Sequence, residues 1–348
     1  MDSQKVKQTF DLIKKEQVDG IISLIDNNRK WIFEKTSSDF SITLFLKDKI
    51  HCFVDQRDID ALKKIHKNIN FHLYNSSNDW FSFINNLKLN KLQFESNISY
   101  SDYIKFIKPI KCNQLLPFDG NILRIKKTST ELKKMQASAK LTCDAVNHLK
   151  KWIKVGMTEI QVANEYWKYV SSRGASALSF ETIVGFGDHS ADIHGIPSNR
   201  KLKRNEIILV DCGCILDGYC SDITRCWYVG KLPKRLDDMY KAVLNSNLLG
   251  IKNIKSNMLG KQGDSICRQY IADKWNGYDI PHGVGHGIGI GEHELPGNNK
   301  IGDRKLEINS CFTIEPGIYE QDLGGIRIED TVVMTKNGCK VLTSSCKK

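Results

Sequence analysis

The chain has no apolar run approaching the roughly 18 residues of a transmembrane helix, so no membrane partner is expected. It has 11 cysteines but no C-x-x-C spacing, which excludes a zinc ribbon and a thioredoxin-type motif. No register of its clustered glycines satisfies G-x-G-x-x-G with a helix following, which excludes a dinucleotide fingerprint. Internal repeats and low-complexity tracts are absent. The opening MDSQKVKQTFDLIKKEQVDG alternates charged and apolar residues like an amphipathic helix and lacks a signal-peptide apolar centre, so a cytoplasmic chain is expected. Arginine is scarce: 11 of the 51 basic residues. The net charge of +11 is therefore carried mostly by lysines spread along the chain, without the bidentate side chain that reads bases and phosphates. The short patches KKTSTELKK (126–134) and NRKLKR (199–204) read as solvated faces, and no specific nucleic-acid partner is expected.

What is present is the composition of an ordinary globular protein, 41% apolar and 26% charged, with 348 residues favouring two domains. Cys212, Cys214, Cys220 and Cys226 cluster, and read as reduced, buried, small hydrophobes rather than a thiolate metal site. Residues 1–117 alternate helix-like and strand-like stretches. GIISLI (20–25), SITLFL (41–46), HCFVD (51–55), NFHLY (70–74) and KLQFES (91–96) are the strands of an α/β domain. QLLPFDGN (114–121) carries the Pro, Asp and Gly of a connection, which divides the chain into 1–117 and 118–348. The second part opens with two capped helices. Thr128 with Glu131 starts one that runs towards Trp152. Thr158 with Gln161 starts the other, with Ile160, Ala163, Trp167 and Val170 at helical spacing and Gly174 as its stop. From residue 178 short strands and glycine turns take over, giving an α+β domain with its chemistry on strands.

One strand-like segment, EIILVDCGCILDGYCSDITRCW (206–227), puts an acid where a buried strand would tolerate one least. Asp217-Gly218 is a strong two-residue hairpin signal. With that turn, Leu216 pairs with Tyr219, Gly213 with Asp222 and Asp211 with Thr224. Alternation of side chains then puts Asp211 and Asp222 on one face as diagonal neighbours. A cation between them would relieve their repulsion; a turn cap or a pairing with Arg204 or Arg225 is the alternative. In PHGVGHGIGIGEHELPG (281–297) the glycines at 283, 285, 287 and 289 bare one strand face for a close backbone or substrate. His282 and His286 point to the other face. Glu315 and Glu329 interrupt further apolar strands. Four acids and a histidine form an oxygen-rich set that two divalent cations would neutralise, Mn²⁺ suiting it best, with Co²⁺, Fe²⁺ or Zn²⁺ admissible.

The order Asp-(x10)-Asp, His, Glu, Glu, within SFETIVGFG, His194, DCG…GYCSDITR, HGVGHGIG, EPGIY and GIRIEDTVV, resembles the pita-bread metallopeptidases. The branch it resembles is that of Xaa-Pro aminopeptidases and prolidases, from about residue 120 to about 340. The resemblance implies a pita-bread catalytic domain and assigns Asp211, Asp222, His286, Glu315 and Glu329 as metal ligands. It also implies a dinuclear centre with Glu315 as general base and then acid, and His194 and His293 as substrate-contacting histidines. Tyr319 and Arg327 are implied as supporting residues and a homodimer as the assembly. Thr224, by parity on the aspartate face, is read as a residue that orients a ligand. Residues 1–117 resemble the smaller creatinase-type N-terminal domain of this branch, with FVDQRD (53–58) matching its strand-end aspartate and arginine. The family's tyrosine-leucine-threonine-glycine segment is missing after Asn28.

The expected substrates are peptides with proline in the second position. Prolidases that the chain resembles carry an arginine after the HE-x-P segment to anchor a dipeptide's carboxylate. Here His293-Glu294-Leu295-Pro296 is followed by Gly297, which favours an aminopeptidase acting on longer peptides. One of the lysines nearby, such as Lys300, is the alternative anchor. The alternatives are an Xaa-Pro dipeptidase and, from another class, a non-catalytic binding module on the same fold, whose relatives typically lose ligands.

Overall fold

A computed structural model describes residues 1–34 and 38–348, and these divide into two compact units, 1–124 and 125–348. In the first, a mixed six-stranded sheet has the order 70–73, 50–54, 41–46, 20–23, 91–95, 114–118. The five strands read from the sequence are all there. The sixth, Gln114–Phe118, was expected to be a connection; it pairs in parallel with Lys91–Glu95, and the compact units divide after Arg124, where the sequence reading divided the chain after residue 117. Its residues are mostly solvent-facing, so no burial pattern marks it, and an edge strand tolerates Pro117.

The second unit is α+β, as expected. Both capping boxes form: Thr128 with Glu131 starts helix Ser129–Trp152, and Thr158 with Gln161 starts helix Glu159–Ser171. The latter buries Val162, Tyr166 and Val170, while Ile160 and Trp167 remain exposed. Its periodicity is right but its core face is turned by part of a turn from the spacing first read. Two longer helices follow, Lys234–Asn253 and Gly260–Lys274. No described helix is long and apolar enough to cross a membrane.

The strand Glu206–Cys212 separates two apolar cores by parity. Ile208, Val210 and Cys212 enter the core beneath helices Ser129–Trp152 and Glu159–Ser171. Ile207 and Leu209 enter the other, against the two later helices. Asp211 belongs by parity to this second face, at its end. Across the ladder the expected register holds: Leu216 pairs with Tyr219 and Asp211 with Thr224. The four clustered cysteines are buried, and burial pushes the thiols of Cys220 and Cys226 up to about 12.

Candidate metal centre

One cavity of about 500 Å³ in the second unit is lined by all five expected ligands, Asp211, Asp222, His286, Glu315 and Glu329, together with His194, His293 and Arg327. Residues from five separate strands or loops converge there. Asp222, His286 and Glu329 each bring one ligand atom within 4.8 Å of the others. Glu315 Oε1 lies 3.4 Å from His286 Nε2, and Asp222 Oδ2 lies 3.5 Å from the same nitrogen. His286 Nδ1 is 3.1 Å from the Gly287 carbonyl. That acceptor fixes the tautomer, because Nδ1 must carry the proton and Nε2 then offers its lone pair to the acids.

The glycines before and after His286 explain how it gets there. A Cβ at Gly285 would lie 2.0 Å from the Thr313 carbonyl oxygen, and one at Gly287 would lie 2.4 Å from the Leu295 backbone. The bare face therefore admits neighbouring strands, the close backbone approach read from the sequence. His282, just before the strand Gly285–Gly287, also lines the cavity.

A second layer of side chains fixes the acids. Thr224 Oγ1 donates to Glu329 Oε2 at 2.8 Å, and Arg327 Nε donates to Thr224 Oγ1 at 3.2 Å. Arg327 also donates to Asp211 Oδ2 at 2.7 Å and to the Tyr319 hydroxyl at 2.9 Å. Tyr319 in turn is 2.8 Å from His282 Nε2, whose Nδ1 donates to the Gly283 carbonyl. Thr313 Oγ1 donates to Glu315 Oε1 at 2.9 Å and accepts from the His286 amide. His282 was read from the sequence on the face of His286; Thr313 was not singled out. Thr313 had a signal, since it lies two residues before Glu315 on a strand and so shares its face. Of the alternative partners for the aspartates, Arg225 instead binds Asp330 at 2.8 Å, and the arginine that pairs with Asp211 is Arg327.

The centre is electrostatically incomplete as protein alone. Burial pushes the Asp222 and Glu329 carboxyls well above the usual carboxylate range, and the neighbouring acids push them the same way. Burial also raises Asp211, against the pull of Arg327. Asp211 Oδ1 and Asp222 Oδ1 are buried without a hydrogen-bond partner, a state that costs about 1–3 kcal/mol per group. Divalent cations fit this donor set, supplying positive charge where the oxygens face nothing.

The remaining expected residues are less constrained. His194 is an exposed ring on the cavity wall. His293 is largely exposed, its ring 4.1 Å from that of His286 and nearly perpendicular to it. The position of Gly297 is not open space, because a Cβ there would lie 2.6 Å from the Asn299 side chain. Lys300 lines the cavity but pairs with Asp279 at 2.6 Å. Lys127, read as part of a solvated basic patch, is instead buried in an ion pair with Glu294 at 2.9 Å.

Residues 133–336 match the model of metallopeptidase family M24. The uncharacterized peptidase YqhT of Bacillus subtilis is 38% identical over 75% of this chain and 74% of its own. A Mycoplasma genitalium protein, provisionally named an Xaa-Pro aminopeptidase, is 32% identical over 98% of this chain and 97% of its own. The structure of an Xaa-Pro dipeptidase from Bacillus anthracis superposes with a TM-score of 0.91 at 31% identity, covering 99% of this chain and 98% of that one. The architecture of the chain is thus the mixed α/β pita-bread fold with its preceding domain.

Proposed function

The chain belongs to metallopeptidase family M24 and is a metal-dependent hydrolase, and from that premise we propose that it is an aminopeptidase releasing the first residue of Xaa-Pro peptides. The observation that carries the reading is the convergence of Asp211, Asp222, His286, Glu315 and Glu329 with two buried, unpartnered carboxylate oxygens. Two divalent ions held by these five residues, Mn²⁺ foremost, would supply Lewis acidity at the scissile carbonyl and a water of lowered pKa. Glu315 accepts the water's proton and returns it to the leaving imino nitrogen. Its Oε1 is engaged by Thr313, which leaves Oε2 for the proton. Arg327 and Thr224 hold Asp211 and Glu329 in place, and burial keeps the Tyr319 hydroxyl protonated as a donor. His194 and His293 face the cavity as donors to the substrate or to the oxyanion.

The aminopeptidase choice rests on Gly297, which provides no cationic fork for a dipeptide's carboxylate, and on Lys300, whose ammonium is engaged by Asp279. The dipeptidase reading is favoured instead by the similarity to the Bacillus anthracis protein, which is named an Xaa-Pro dipeptidase. Comparing kcat/KM for Xaa-Pro and Xaa-Pro-Yaa decides between them. The aminopeptidase prefers the longer peptide by about tenfold or more, the factor matching 1.4 kcal/mol; a clear preference for the dipeptide makes it a prolidase. A non-catalytic binding role is disfavoured because all five ligand positions are intact. We further infer a cytoplasmic homodimer without specific nucleic-acid or membrane partners, on family resemblance and on the dispersed lysine charge.

A further inference from the structure

The cavity holds one acid that the ligand set leaves over, Glu292. Every other cavity acid is either engaged by a named donor or belongs to the converging ligands. Glu292 has no hydrogen bond among the described residues, and the His293 Nε2 atom, on a ring whose pKa burial lowers to about 4, lies 3.8 Å away. Its side chain is half-buried on the cavity wall. The electrostatic neighbours acting on it are His286, Asp211 and Glu315, so it sits close to the reacting centre.

The backbone under Glu292 is fixed. Glu294 Oε1 accepts from the Gly291 amide at 2.9 Å, and its Oε2 pairs with buried Lys127 at 2.9 Å. Gly289 packs so tightly that a Cβ there would meet Glu294 at 2.5 Å and Lys127 at 2.8 Å. The carboxylate is thus presented from a well-fixed loop, with no protein donor on its oxygens among the described residues. The cavity's cations cannot satisfy it: Arg327 is taken by Asp211 and Tyr319, and Lys300 by Asp279. Phe180, Ile183, Ile193 and Ile280 line the same space with apolar surface suited to an aliphatic stem.

We propose that Glu292 determines specificity by binding positive charge on the substrate's amino-terminal residue. This rests on the Xaa-Pro reading. The charge has two sources, the α-ammonium or a basic first side chain, and two peptide pairs separate them. Ala-Pro-Ala against propionyl-Pro-Ala differs only in the α-amine; Arg-Pro-Ala against norleucine-Pro-Ala differs in side-chain charge. Wild-type kcat/KM is expected to favour the charged member of at least one pair by about tenfold or more, the scale of a charge-assisted hydrogen bond. Glu292→Gln, at unchanged metal content, is expected to abolish that preference and leave the neutral member unaffected. Equal ratios in wild type and variant for both pairs overturn the proposal. Loss of metal from the variant also overturns it, by making Glu292 a ligand. If wild type cleaves none of the four peptides, the Xaa-Pro reading fails. Calorimetric binding of the same pairs to wild type and E292Q then tests Glu292 separately, with the same expected and overturning outcomes.

Discussion

Glu95 in the first unit and Asp222 in the second are both buried acids at strand ends, and their surroundings differ in kind. Glu95 accepts from Ser23 Oγ at 2.6 Å, from the Leu24 and Ile25 amides at 2.6 and 2.7 Å, and from the Asn28 side chain. Glu159 in the second unit is treated the same way, taking donors from Phe186, His189 and Ser198. Asp222 has an oxygen facing no donor, and its neighbours Asp211, Glu315 and Glu329 are acids. A buried carboxylate that the fold uses for structure is saturated with donors. One that is held for a cation is oriented by a few bonds and left short of the rest.

The contrast sets an order of effects. Glu315→Gln is expected to lower turnover by roughly 10²- to 10⁴-fold, the range for losing a general acid–base, as measured by steady-state kinetics. Asp222→Asn is expected to cost at least about 100-fold in activity together with bound metal, since ligand loss should exceed the 10–100-fold effect of losing a supporting contact. In metal-free protein the same change should raise stability by about 1–3 kcal/mol in denaturant unfolding, because it removes one of several repelling buried acids. A metal-free D222N variant less stable than metal-free wild type would break the comparison. Glu95→Gln should behave oppositely, losing about 1–3 kcal/mol of stability because its amide group faces backbone donors, with metal content unchanged.

The pH response of metal-free protein sharpens the same point. The Asp222 and Glu329 carboxyls are raised in the fold, so the native state holds their protons where the unfolded state, titrating at about 4, has released them. Stability contributed by these groups is therefore present at low pH and lost as pH rises above that value. A thermal-unfolding series without metal should show the decline, and metal should remove it. The smallest expected effect is that of Thr224→Val, which takes one donor from Glu329 and one acceptor from Arg327. About tenfold weaker metal affinity, measured by titration, is expected for such a supporting contact.

Much of the site was legible because β-structure makes parity readable. Once Asp217-Gly218 is taken as the turn, the Asp211–Thr224 pair follows without further assumption. The glycines around His286 announced a close neighbour, and the neighbour is the Thr313 and Leu295 backbone. What was missed lacks such a local signature. Gln114–Phe118 is an exposed edge strand, and helix Glu159–Ser171 has apolar residues on two faces, with tertiary packing choosing Val162 and Tyr166 over Ile160 and Trp167. Lys127 is buried only because Glu294, distant in sequence, meets it. The Tyr319–His282 contact likewise depends on how separate strands are brought together.

Metal content and hydrolysis measured on the same preparation test the central claim most directly. After exhaustive chelation, Xaa-Pro hydrolysis should vanish, and titrating Mn²⁺ should restore it as the protein takes up two ions per chain. Full activity in protein shown to carry no metal would contradict the account.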